Sequence, residues 1–176
     1  MNETDILTTI AQLAIGVAGF SGIAIAFNRQ PGKLIDVEAY RIAILFANAF
    51  AAMFISLLPF PLYYLFDDLE TVWRLGSAVI AIFTTFFLNY YLRRTRRFRR
   101  EVPQLFNTFQ LFLTRIGHIV NLCVQVASAA GVFAARHSAV FLFGVLWLLF
   151  HSTFQFGRIL FVQPPPFYVD RLTEHV

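Results

Sequence analysis

The sequence predicts an all-α integral membrane protein with about five spanning helices, and three observations support this fold class. Hydrophobic residues make up 58% of the 176-residue chain, against about 45–50% in soluble domains. The apolar residues form five continuous segments, each close to the roughly 20 residues that cross a bilayer. Nearly every charged residue lies between these segments. Because the apolar runs are continuous rather than alternating, helices are expected instead of a barrel.

The five segments belong to one predicted domain, residues 1–176. Pro59 and Pro61 should kink or end the second helix near its outer end, because proline removes a backbone donor. Pro164–Pro166 should stop the fifth helix and begin a proline-rich cytoplasmic tail over 163–176. The predicted helices cover residues 6–27, 41–66, 72–92, 109–135 and 139–162.

The first helix is predicted to be retained rather than cleaved as a signal peptide. Glu3 and Asp5 precede it without any basic residue, and its apolar run is too long for a signal sequence. Small residues cover much of its surface and recur on the second helix, and such residues let helices approach closely in lipid. These small residues are expected either to pack the two helices together within one subunit or to form a subunit interface. The candidates are Gly16, Gly19, Gly22, Ala43, Ala47 and Ala51.

A resemblance supports the membrane assignment. The run Ala18-Gly19-Phe20-Ser21-Gly22-Ile23 resembles the glycine-rich first transmembrane helix of small, uncharacterised bacterial inner-membrane proteins. It covers about one helix of the five. The resemblance implies a bacterial inner-membrane setting and no particular activity.

Charge placement predicts the orientation. Basic residues dominate the first loop and the third loop, whereas the second loop is acidic, so the positive-inside rule places the N-terminus outside and the C-terminus in the cytoplasm. A basic cytoplasmic loop is predicted over 93–104. Its arginines are expected to bind anionic lipid, or alternatively an acidic partner: Arg93, Arg94, Arg96, Arg97, Arg99 and Arg100. The net charge of +4 therefore indicates membrane orientation and not nucleic-acid binding.

The fourth helix carries the strongest candidate site. Polar residues recur along it at steps of three or four and therefore share one face. They include His118, Asn121 and Gln125, and the fifth helix repeats the pattern with His151 and Gln155. Polar groups inside a membrane normally face protein or water. These five residues are the candidates for lining a polar pathway, or for bonding the helices together.

Counting residues back from a turn near His137 predicts the relative depths of these side chains. Arg115 and Arg158 should lie level near the inner membrane boundary, where they either snorkel to lipid phosphates or form an anion or headgroup site. His118 and His151 should be offset by about 7 Å. That offset is awkward for a haem held by both histidines, although a haem or chlorin on one of them is an alternative.

Other chemistry has little support in the sequence. Cys123 is the only cysteine, so neither an internal disulfide nor a thiolate metal cluster can form, and no metal site is predicted. No carboxylate lies within the predicted crossings, and no catalytic motif was found. The leading hypothesis is a non-enzymatic, homo-oligomeric, channel-like protein for ions or small solutes. The alternative is an accessory subunit of a larger membrane complex.

Overall fold

Every element of the described structure is helical. The structure is a computed structural model that describes residues 3–28, 36–101, 103, 106–133 and 136–161. Five of its helical stretches are long and apolar enough to cross a membrane, so the predicted all-α, five-span fold is confirmed. The predicted first loop and proline-rich tail lie outside the described residues, and the orientation stays a prediction. The helices are α1 Glu3–Asn28, α2 Asp36–Leu57, α3 Pro59–Phe66, α4 Leu69–Glu101, α5 Thr108–Ala129 and α6 His137–Phe161.

The second crossing is divided into α2 and α3 by Pro59. The Pro59 ring removes a backbone donor at this point, and Leu58 instead bonds back to the Ile55 carbonyl at 3.2 Å. The helix resumes at once, so α2 and α3 together form a single candidate span over Asp36–Phe66. The interruption predicted near the two prolines is therefore present at Pro59, and Pro61 lies within α3.

The basic segment is helical, which corrects the loop predicted over 93–104. α4 continues through Glu101 and is 33 residues long, or about 50 Å at 1.5 Å per residue. That exceeds a hydrocarbon layer of about 30 Å, so the arginine-bearing end extends beyond it. Thr95 and Phe98 face the protein, and all six arginines of the segment are exposed.

α5 ends at Ala129, six residues earlier than expected. Gly131 adopts a left-handed backbone with φ +85°, and the Val132 amide bonds to the Ala127 carbonyl at 3.0 Å while the Gly131 amide bonds to that of Ser128 at 2.9 Å. This pair of bonds is a Schellman motif, which glycine favours because it lacks a Cβ atom. The early end shifts the register between α5 and α6.

Two apolar clusters hold the bundle together at its opposite ends. The first joins α1, α2, α4 and α6 around Leu7, Ala52, Trp73 and Phe141. It lies towards the end that carries Asp67, Asp68 and Glu70, which we call the acidic end. The second joins α2, α4 and α5 at the end that carries the α4 arginines, which we call the basic end; its members include Val37, Tyr40, Tyr91, Phe98 and Leu111.

α1 packs on α2 and α6, and it does so through a face other than its glycines. Its buried residues are Leu7, Ile10, Ala11, Ala14, Ala18 and Ser21. A Cβ atom added at Gly16 or Gly19 would meet no described atom within 4 Å, leaving aside its own helix backbone, and one at Gly22 would only touch Phe46. Ala43 and Ala47 are likewise exposed, and Ala51 is half-buried. α1 and α2 therefore pack on each other within one subunit, but mainly through residues other than these glycines and alanines, and a role of the small residues in a subunit interface stays a prediction.

Candidate functional site

The polar stripe of α5 faces the interior of a single chain. Its members lie on one helical face, as predicted, and that face meets α4 and α6. His118, Asn121, Gln125 and Ser128 have no exposed surface, and Thr114 is nearly as deeply buried. The described chain thus contains a column of polar side chains running along the inside of the bundle. The two polar stripes meet within one subunit.

At the acidic end the column is joined by hydrogen bonds. The hydroxyl of Ser128 lies 3.1 Å from His137 Nδ1 and 3.1 Å from the Ser77 hydroxyl. His137 Nε2 in turn lies 3.9 Å from a carboxylate oxygen of Glu70, which also lies 3.7 Å from Arg74. This network connects α4, α5 and α6.

Next along the column are the two amides of α5. The Gln125 side-chain nitrogen donates to the Val140 carbonyl at 2.7 Å and reaches the Asn121 oxygen at 3.4 Å. Gln125 Oε1 and Asn121 Nδ2 are buried without a hydrogen-bond partner among the described residues, as is the hydroxyl of Thr84 on α4. Buried polar atoms of this kind are uncommon and mark a place where a polar guest or ordered water is accommodated.

The two histidines are in direct contact, which corrects the predicted offset. The ring centroids of His118 and His151 are 4.6 Å apart and the rings are nearly perpendicular, at 80°. The residue count assumed a turn near His137, whereas α5 already ends at Ala129. His118 consequently faces Trp147 and His151 instead of Gln155. The α5–α6 approach depends on Gly117, where a Cβ atom would overlap the Trp147 ring.

Hydrogen bonding assigns the tautomer of each histidine. His118 Nδ1 lies 2.9 Å from the Thr114 carbonyl, which only accepts, so this nitrogen carries the proton. The Trp147 Nε1–H group also points at this nitrogen, at 3.4 Å, and we assign the tautomer from the shorter contact to Thr114. For His151, Arg158 Nη1 donates to Gln155 Oε1 at 3.4 Å, and this orients the Gln155 nitrogen towards His151 Nε2 at 3.1 Å. His151 Nε2 therefore accepts, and its proton is on Nδ1.

The remaining ring nitrogens form a complementary pair. His118 Nε2 is left as an acceptor and His151 Nδ1 as a donor, and both are buried without a hydrogen-bond partner in the described part of the chain. Because the two rings touch, a donor and an acceptor that lack other partners lie on adjacent side chains. The two nitrogens are not hydrogen-bonded to each other, so passing a proton between the rings would need a bridging water or a rotation of one ring.

At the basic end Arg158 of α6 lies near Arg41 of α2, and the predicted level pairing of Arg115 with Arg158 stays a prediction. Arg41 and Arg158 are near enough to repel each other electrostatically. Arg115 and Arg158 each interact with Tyr91.

Several buried polar residues escaped the sequence analysis. On α4 they follow a helical stripe, Ser77, Thr84, Tyr91 and Thr95, spaced by seven, seven and four residues. That spacing was a usable signal, but Ser, Thr and Tyr are common in membrane helices and stood out less than His or Gln. The sequence predicts Arg41 at the first position of the second helix, whereas α2 begins at Asp36 and Arg41 is buried within it.

The packing around the histidines bears on cofactor binding. His118 stacks on Phe87 at 4.9 Å and meets Trp147 edge-on at 5.6 Å. A haem or chlorin on either imidazole would have to separate these contacting rings. Among the described residues no group of three or more His, Cys, Asp and Glu side chains is placed to hold a metal ion.

The fold and this column define the class of protein: a multi-pass helical membrane protein with a polar interior. No protein-family model matches the chain, and no curated protein or solved structure shows significant similarity to it. Its function must therefore be argued from its own residues.

Proposed function

We propose that this membrane protein provides a polar pathway for ions through the inside of the bundle, and that the proton is the ion it carries. The observation that carries the proposal is the complementary pair formed by His118 Nε2 and His151 Nδ1. Imidazole is suited to relay protons because one ring nitrogen can accept a proton while the other releases one.

The side chains on either side of the pair extend the pathway. Towards the acidic end lie the amides of Asn121 and Gln125, followed by Ser128 and His137. Towards the basic end lie Gln155 and Arg158. Ser128 and His118 are ten residues apart on α5, or about 15 Å, so water is needed between the bonded groups. The partnerless amide atoms of Gln125 and Asn121 provide the donors and acceptors that such water uses.

A pathway of this kind lies within one chain, so it does not depend on a pore between subunits. The homo-oligomer predicted from the sequence stays a prediction. The small-residue surface around Gly16, which is half-buried, and Gly19, which is exposed, is its candidate contact, since glycine faces favour close helix association in lipid.

Proton flux into proteoliposomes tests the proposal. The full chain is reconstituted with a pH-sensitive dye inside, and a potassium gradient with valinomycin drives proton entry. We expect flux above that of protein-free vesicles, reduced roughly tenfold or more in His118→Phe and His151→Phe. Phenylalanine keeps a ring in place but cannot carry a proton.

Thr153→Val is the matched control, because Thr153 is an exposed polar residue of α6 whose hydroxyl bonds only its own helix, at the Leu149 carbonyl. Flux in this variant should equal that of the wild type. Wild-type flux no greater than that of empty vesicles would overturn the proposal, as would equal flux in all variants.

A further inference from the structure

One side of α1 is not covered by the rest of the described chain. In that part of the molecule α1 packs only on α2 and α6, through a buried face that includes Leu7 and Ala14. Gln12 lies outside this face and is exposed. Its neighbours Leu13 and Ile15 are each 54% exposed. In a membrane-spanning helix, such a surface faces lipid or another protein.

Gln12 lies deep within the first candidate span. That span runs over Glu3–Ala26, so Gln12 is about 14 Å from one end and about 21 Å from the other at 1.5 Å per residue. A glutamine side chain is too short to reach the polar boundary from this depth. Its amide is therefore held in the apolar layer of the membrane.

The amide of Gln12 differs from the hydroxyls that are exposed on the same helix. Thr8 donates to the Thr4 carbonyl at 2.9 Å. Thr9 likewise donates to the Asp5 carbonyl at 2.7 Å, as threonine in a helix can do. Gln12 forms no hydrogen bond with any described residue. Because an amide without a partner is costly in an apolar layer, the missing partner is expected to come from outside this chain.

The surface next to Gln12 leaves room for a second helix. Gly16, Gly19 and Ile23 follow Gln12 at steps of four, three and four residues, which places all four along one side of α1. This is the spacing of two helices that cross at a small left-handed angle. A Cβ atom at Gly16 or Gly19 would meet no described atom within 4 Å outside its own helix backbone. The space beside the Gln12 side of α1 is therefore open to a partner.

We propose that Gln12 pairs with the same residue of a second copy of this chain, in a two-fold symmetric contact between two α1 helices. A two-fold axis brings the same residue of each copy together. An amide has both donors and an acceptor, so two glutamines satisfy each other. α1 makes no contact with α5 in the described structure. The contact does not depend on the histidine pair and is expected whether or not the protein carries protons.

Energy transfer between copies in lipid vesicles tests the proposal. The full chain is labelled at its N-terminus with a donor or an acceptor dye and reconstituted at increasing protein-to-lipid ratios. We expect the wild type to associate, and Gln12→Leu to require a ratio about three- to thirtyfold higher for half-maximal transfer, the range of interhelical hydrogen bonds in membranes. Asn89→Leu is the matched control, because it removes another exposed amide, on α4. It should leave the association unchanged.

Disulfide crosslinking locates the contact. Cys123 is exposed on α5, so the wild type should form few disulfide-linked dimers under mild oxidation. Gly19→Cys combined with Cys123→Ser should form them readily, because close helices bring the two sulfurs within bonding distance.

A wild type that stays monomeric at every protein-to-lipid ratio overturns the proposal, and Gln12 would then need a different protein as its partner. An equal loss of association in Asn89→Leu also overturns it. So does crosslinking through Cys123 with none through Gly19→Cys.

Discussion

His118 and His151 touch inside the bundle, with ring centroids 4.6 Å apart and ring planes at 80°. The contact lies between α5 and α6 and is bordered by Phe87 of α4, which stacks on His118 and meets His151 edge-on. Two titratable side chains are thus held against each other by aromatic neighbours. One nitrogen of each ring is hydrogen-bonded, His118 Nδ1 to the Thr114 carbonyl and His151 Nε2 to Gln155. The second nitrogen of each ring is buried without a hydrogen-bond partner among the described residues.

Tyr40 is predicted to stabilise the basic end through its hydroxyl. The group donates to the Tyr91 carbonyl at 3.1 Å and accepts from the Thr95 hydroxyl at 2.7 Å. Tyr40→Phe should lower the free energy of unfolding by about 1 kcal/mol, the usual net value of a buried hydrogen bond. Tyr64→Phe, at an 89% exposed residue of α3, should change it little. Unfolding in increasing mole fractions of SDS measures both, and equal stability of the two variants would count against the Tyr40 contacts.

Gly117 is predicted to be required for the approach of α5 and α6. A Cβ atom there would overlap the Trp147 ring, so Gly117→Ala should destabilise the protein by about 1–3 kcal/mol, as overpacking does. Gly19→Ala introduces the same methyl group where no described atom lies within 4 Å outside its own helix backbone. It should leave the stability of one subunit equal or slightly higher, because alanine favours a helix over glycine. Thermal unfolding in detergent compares the two, and the reverse order of stabilities would contradict the packing described.

Asp68 is predicted to make the start of α4 sensitive to acid. Its carboxylate accepts from the Thr71 amide at 3.0 Å and from the Glu70 amide at 3.2 Å. Hydrogen bonds from the side chain and backbone of Thr71, together with the Glu70 amide, lower the pKa of Asp68. Since the folded pKa is lowered, this stabilisation is complete above the ordinary pKa of an aspartate. It is lost as the pH falls through the lower value of the folded state.

Hydrogen exchange of the Glu70 and Thr71 amides, followed against pH, measures this effect. Protection should decrease in the acid range in the wild type and be low at all pH values in Asp68→Ala. Asp68→Asn retains an oxygen acceptor but does not titrate, so its protection should not change in the acid range. A wild type whose protection did not change with pH would contradict the assigned role of the carboxylate.

The sequence predicted the helices and the inward face of α5 for clear physical reasons. Apolar segments of membrane-spanning length leave few alternatives to helices. The spacing of His118, Asn121 and Gln125 at three and four residues can place them only on one side of a helix. The break at Pro59 follows equally directly from the missing backbone donor.

The relations between helices could not be derived in the same way. The register of α5 against α6 depends on the left-handed Gly131 turn. An error of a few residues at that turn produced the predicted offset between His118 and His151, whose rings are in contact. Arg41, the arginine near Arg158, lies on α2. Its position relative to α6 is fixed by packing, including the hydrogen bond from the Ser152 hydroxyl to the Leu45 carbonyl. Local sequence contains no direct signal for such a contact.

The tautomers of His118 and His151 in the wild-type protein are the most direct test of the proposed relay. Solid-state NMR of the chain reconstituted in lipid, with ¹⁵N-labelled histidine assigned by single His→Phe variants, distinguishes a protonated Nδ1 from a protonated Nε2. We expect both neutral rings to carry the proton on Nδ1, held by Thr114 on one side and by Gln155 on the other. A proton on Nε2 of His118, or on Nε2 of His151, would remove the complementary donor and acceptor and contradict the account.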